Sequence, residues 1–128
     1  MFMVRWLSAI TTLLVLVQAA LIGQALYQGQ MSLLGVHGWL GSGSFVLAIL
    51  LAGAIFLAVQ RGELPRGILV QGVIVVLLMV AQLGLGYMGR RNGMAAAVHI
   101  PNGVIIAGLL SALLASTFLA PRGAAVRA

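Results

Sequence analysis

The sequence predicts an all-α integral membrane protein, a four-transmembrane-helix bundle running up-down-up-down, and three observations carry that prediction. Hydrophobic residues fill 62% of the 128 positions against seven basic and one acidic side chain, too little polarity to cover a soluble domain of this size. The charges are also confined. None falls between Arg5 and Arg61, 23 uncharged residues separate Arg66 from Arg90, and another uncharged run follows Arg91 as far as Arg122. A crossing needs about 20 apolar residues, so the first run is long enough to span twice and the others once each. Third, glycine, proline or charge interrupts the apolar pattern at QGQMSLLG, QRGELPR and RRNGM, which divides the chain into four segments.

Helix one is expected near 6–27. Its apolar run is longer than that of a secretory signal and no clear small-residue cleavage pattern follows it, so it is read as a mature span. Helix two, near 36–59, opens with HGWLG, and helix three occupies about 67–89. Helix four, near 97–120, opens with HIPNG, with Pro101 in its first turn, where a missing N–H does little harm. Short connections make successive helices antiparallel neighbours within a single transmembrane domain, 1–128.

Arg5, Arg61, Arg66, Arg122 and Arg127 fall on one side of this arrangement and only Arg90 and Arg91 on the other. The positive-inside rule then puts both termini in the cytoplasm of a plasma (inner) membrane, with the first and third loops outside. A formal charge of +6 raises the question of nucleic acid, but these arginines flank spans and form no basic run with interleaved aromatics. Contact with anionic membrane lipids is the better account. The absence of cysteine excludes disulfides, thiolate-bound iron-sulfur clusters and covalent c-type heme attachment. Glu63 is the only carboxylate side chain, which excludes paired-carboxylate catalysis and a carboxylate di-metal site; a loose surface pairing with Arg61 or Arg66 is expected for it.

His37 and His99 are the residues that ask for an explanation, because an ionisable side chain in a span is costly and is by default a functional candidate. Helices two and four run the same way, and each histidine lies about one turn from the outer end of its helix. At 1.5 Å per residue the two are therefore level, toward the outer face, where a bundle builds cofactor sites between facing side chains. Gly41 and Gly103 lie one turn deeper on the same helical faces. Gly23 and Gly84 or Gly86 fall at comparable depth on helices one and three. A flat macrocycle needs such room, although small residues also serve plain helix packing in membranes. The expected cofactor is one non-covalent heme b per chain, with His37 and His99 as axial iron ligands and Arg90 and Arg91 either pairing with its propionates or anchoring the loop. The alternative for the histidines is a neutral pair satisfied by backbone carbonyls or water.

The remaining polar and sulfur groups have simpler readings. Tyr27, Trp39 and Tyr87 fit an outer aromatic belt better than redox or quinone-contact groups, and Met31, Met88 and Met94 fit flexible apolar filling better than a thioether ligand to iron. Gln18, Gln24 and Gln82 fit hydrogen bonding between helices. For the second nitrogen of each imidazole, the expected partners are outer-loop carbonyls, Ser32, Ser42, Ser44 or Asn102. A weak internal repeat links the halves: Gln18, Gly23, Tyr27, His37 and Gly41 are echoed by Gln82, Gly86, Tyr87, His99 and Gly103.

Helix two opening with His37, helix three ending AQLGLGYMG and helix four opening VHIPNGVIIAGLLSALLA together resemble one four-helix half of heme A synthase. The resemblance covers nearly the whole chain but rests on few positions, chiefly the histidines and the Gln-x-x-x-Gly of helix three. It implies heme ligation by His37 and His99 toward the outer face. The chain is half that family's length, and Leu33, Leu34, Gly35 and Val36 stand where the catalytic half carries a glutamate before its histidine. What carries over is therefore heme binding without hydroxylation.

The leading functional expectation is a bis-histidine cytochrome b-type subunit that transfers electrons within or beside a larger membrane redox complex, with a quinone or a partner protein as candidate donor or acceptor. Six-coordinate iron favours electron transfer or structural use over oxygen activation, so an enzymatic role is the lesser expectation. Two alternatives stand beside it: a non-redox structural or assembly subunit, and a half-length heme-modifying enzyme acting as a homodimer.

Overall fold

The computed structural model describes residues 1–119. It consists of four helices, α1 (Phe2–Gln28), α2 (Ser32–Gln60), α3 (Arg66–Gly89) and α4 (Gly93–Leu119), each long and apolar enough to cross a membrane. The expected last residue of helix four, Ala120, lies outside the described residues, as do Arg122 and Arg127.

Local chemistry explains the boundaries. α1 stops where Gly29 adopts φ 66°, a left-handed conformation that closes the helix through a bond from its N–H to the Ala25 carbonyl. Gly62, at φ 70°, makes the corresponding reversal after α2, and Pro65 in extended geometry launches α3. Asn92 starts α4, its Oδ1 accepting from the N–H groups of Met94 and Ala95 at 2.9 and 3.2 Å. Because of that cap α4 begins four residues before the expected start, so Pro101 lies inside the helix and not in its first turn. α2 likewise starts four residues early, at Ser32. Each histidine thus stands about one and a half turns into its helix.

The helices close a ring in which α1 packs on α2, α2 on α3, α3 on α4 and α4 on α1; among the described residues the diagonal pairs make no close backbone approach. At one end the N-terminal ammonium of Met1 donates to Glu63 at 2.8 Å, and Arg5 Nε donates to the Thr117 carbonyl at 2.9 Å with its guanidinium 5.0 Å from the Phe118 ring centre. Glu63 therefore pairs with the chain's amino group and not with Arg61 or Arg66. That amino group, with Arg61 at longer range, holds the carboxyl below the usual glutamate range. The contribution of such a group is present above its ordinary pKa and fades as pH falls through the lowered value. The pair is exposed, so Glu63→Gln is expected to leave the thermal midpoint at neutral pH unchanged, as read by a melt in detergent.

Packing is uneven along the bundle. The half next to that end holds the core: Leu51 and Ile55 of α2, Val75 and Met79 of α3, Ile106, Leu110 and Leu113 of α4, with Val4 of α1. Buried Ser8, Thr11 and Thr12 each donate to a carbonyl one turn back, at 2.7 Å, so their burial leaves no hydroxyl unsatisfied. In the other half, beyond Thr12, Ser44, Met79 and Ile106, only Ala25 and Ala95 are buried among the described residues. Large apolar side chains such as Leu13, Leu77 and Val104 are more than half exposed in mid-helix, an apolar surface well suited to lipid.

Candidate functional site

His37 of α2 and His99 of α4 meet across the ring in the sparsely buried half, their ring centres 6.1 Å apart and their planes inclined by 73°. Each imidazole is oriented by the helix that precedes it. His37 Nδ1 donates to the Gln18 backbone carbonyl of α1 at 3.3 Å, and His99 Nδ1 donates to the Gln82 backbone carbonyl of α3 at 3.1 Å. A carbonyl only accepts, so each imidazole carries a proton on Nδ1, and Nε2 is the nitrogen that holds the lone pair when the ring is neutral. Metal-bound histidines usually have one ring N–H fixed in this way and the other nitrogen free for the metal.

The glutamine side chains complete a pseudo-repeated motif. Gln18 covers Gly41, where a Cβ would stand 3.2 Å from Oε1, and Gln82 covers Gly103, where a Cβ would stand 2.9 Å from Nε2. The space above these two glycines, expected for a macrocycle, is taken by carboxamides. Gly86 does something different: a Cβ there would lie 3.0 Å from His99 Cε1, so glycine is what lets the imidazole reach the Gln82 carbonyl. Gly23 and Gly84 are exposed and have nothing within 4 Å of a Cβ; the structure does not bring them against the histidine pair.

Arg90 lies close by. Its guanidinium is 3.6 Å from the Cβ position of Gly38, the residue after His37, and 5.6 Å from the Tyr87 ring centre. With Gly35, Trp39 and Ser42 these residues line a groove of about 340 Å³ between α2 and α3. Arg91 is exposed.

The residues that reasoning from sequence undervalued are Gln18 and Gln82. They stood out as interhelix hydrogen-bonding groups and members of the repeat, and Gln82 also in the Gln-x-x-x-Gly of the resemblance, whereas each serves its histidine through the backbone carbonyl and covers a glycine of the next helix with its side chain. Their place in the repeat was the available signal. The expected partners for the imidazole N–H were loop carbonyls or the side chains of Ser32, Ser42, Ser44 and Asn102; the carbonyls belong instead to helices α1 and α3.

The geometry can be compared with the needs of a metal held between two imidazoles. With metal–nitrogen bonds of about 2 Å, and each ring centre about 1.2 Å behind its nitrogen, two axial imidazoles stand with centres about 6.4 Å apart. The observed 6.1 Å matches that span and no carboxylate competes, but His99 Nε2 faces the Gln82 carboxamide at 3.2 Å and the carboxamides of Gln18 and Gln82 stand over Gly41 and Gly103, so a macrocycle between the rings requires both glutamine side chains to move. No family model, curated protein or solved structure matches the chain.

Proposed function

We propose that this chain is an integral protein of the plasma membrane, an up-down-up-down bundle with both termini cytoplasmic, that binds one non-covalent heme b and transfers electrons as part of a larger membrane redox complex. The observation that carries the reading is the histidine pair itself: two imidazoles on diagonal helices, 6.1 Å between centres, each with Nδ1 tied to a helix carbonyl. His37 and His99 would hold it through their imidazole nitrogens. Arg90 has a fork geometry suited to a propionate and lies beside Gly38; Arg91 adds positive charge at the same end. When bound, heme supplies a one-electron couple whose potential follows from ligands, burial and hydrogen bonding. Arg5, Arg61 and Arg66 at one end against Arg90 and Arg91 at the other support an inner face at the first and an outer face at the second.

A second reading, a packing or assembly subunit without redox chemistry, draws on the bond between Gln82 Nε2 and His99 Nε2 at 3.2 Å, which satisfies that imidazole without a metal. Visible spectroscopy separates the two. Heme-reconstituted protein in detergent is expected to show a Soret band and sharp reduced α and β bands at about one heme per chain, with the sharp bands absent from both His37→Ala and His99→Ala. A wild-type protein still colourless after heme addition would leave the packing subunit standing.

A further inference from the structure

The groove between α2 and α3 holds a cation that meets no carboxylate among the described residues. Glu63 is the one acidic side chain in the sequence, and it is bonded to the Met1 amino group at the opposite end of the bundle. Arg90 is nevertheless held in place. Its guanidinium lies 5.6 Å from the Tyr87 ring centre and 3.6 Å from the Cβ position of Gly38, so the lack of a side chain at position 38 lets it rest close against α2. At about 340 Å³ the groove falls in the size range of small-molecule sites, about 300–1,000 Å³.

Its polarity is graded with depth. Arg90, Tyr87 and Trp39 line the outer end, and Ser42 stands one turn deeper than Gly38 on α2. The Ser42 hydroxyl donates to the Gly38 carbonyl at 3.2 Å, which leaves the guanidinium as the charged donor of the groove. Below Ser42 and Tyr87 the same helix faces continue with Val46, four residues on, and Val80, seven residues back, which are 55% and 53% exposed. A free anion makes no use of that apolar continuation. An amphiphile with a phosphate at one end and acyl chains at the other matches both parts.

We propose that this groove is a binding site for one anionic phospholipid, its phosphodiester on Arg90 beside Tyr87 and Trp39, and an acyl chain running toward the midplane past Val46 and Val80. The planar guanidinium offers paired N–H donors to two phosphate oxygens, and a basic pocket between two spans is a place where headgroups bind. The histidines take no part: His37 is tied to α1 through the Gln18 carbonyl, whereas the groove opens between α2 and α3. The lipid site is thus independent of the heme reading, in which Arg90 is offered to a propionate, and it is tested without heme.

Trp39 lines the groove, and the only other tryptophan, Trp6, lies near the start of α1 at the opposite end, so Trp6→Phe makes Trp39 a single reporter. Full-length, heme-free Trp6→Phe protein is reconstituted into phosphatidylcholine vesicles with a minor fraction of lipid whose acyl chains are brominated and quench tryptophan on contact. The brominated lipid is phosphatidylglycerol in one set and phosphatidylcholine in the other. Phosphatidylglycerol is expected to contact Trp39 about fivefold above its share of the bilayer, and phosphatidylcholine at its share. Arg90→Gln is expected to remove the excess. Gly35→Leu removes it too, because the leucine fills the groove at a position with nothing within 4 Å of a Cβ and leaves every charge in place, whereas Arg91→Gln keeps it. Equal quenching by the two brominated lipids, or an undiminished excess in Gly35→Leu, would overturn the site. Equal losses in Arg90→Gln and Arg91→Gln would also overturn it, by showing diffuse attraction to charge. Relief of the excess by inorganic phosphate, and not by chloride at the same ionic strength, would make the occupant a free anion and overturn the lipid.

Discussion

Gly86→Val is expected to abolish the low-spin heme spectrum as fully as His99→Ala does, while Gly84→Val leaves it intact. The two substitutions lie two residues apart on α3 and carry the same change in helix propensity, so only their surroundings distinguish them. A Cβ at position 86 would meet His99 at 3.0 Å to Cε1 and 3.4 Å to Nδ1, whereas a Cβ at position 84 meets nothing within 4 Å. The ring has little freedom to retreat, because Nδ1 is tied to the Gln82 carbonyl. Overpacking of this kind costs about 1–3 kcal/mol, a factor of about ten to a hundred in the fraction of His99 able to reach iron. The measurement is the ratio of low-spin to high-spin bands at fixed heme occupancy. Equal spectra for the two valine variants would mean that His99 is not held where the structure has it.

How much of this was legible in the sequence depends on which interactions carry each feature. Four apolar segments and their breaks followed from where charge and glycine fall, because the cost of burying charge and the freedom of glycine at Gly29 and Gly62 are properties of residue type. That His37 and His99 are level follows from counting residues along helices. The helix starts were less legible: Asn92 reads equally well as part of a loop and as a cap, and choosing the cap moves α4 forward one turn and draws Pro101 into its interior. Least legible were the partners of the imidazoles. A backbone carbonyl has no signature in side-chain identity, so Gln18 and Gln82 looked like ordinary interhelix polar groups although the atoms that orient the rings are their main-chain oxygens. The two glutamine side chains also have different partners, Ser44 for Gln18 and Asn102 for Gln82, which lie seven residues after His37 and only three after His99, an offset that the weak repeat conceals.

Leu110→Ala is expected to cost about 2–5 kcal/mol of stability, while Leu77→Ala, at a position 63% exposed, changes little. Leu110 is fully buried and belongs to the cluster with Leu51, Ile55, Ile106 and Leu113. Lipid tails are as apolar as leucine, so for helices in a bilayer the loss is one of packing and the cavity left behind, not of escape from water. The site lies elsewhere: Leu110 is three turns of α4 beyond His99, on the far side of Ile106. A denaturation midpoint in detergent should therefore fall for Leu110→Ala while the heme spectrum measured below that midpoint keeps its wild-type shape. Loss of the spectrum together with stability would mean that the packed half and the histidine half form one cooperative unit. Retention of the spectrum would mean that the packed half anchors a bundle whose other half, where Ala25 and Ala95 are buried, is free to adjust around what the histidines hold.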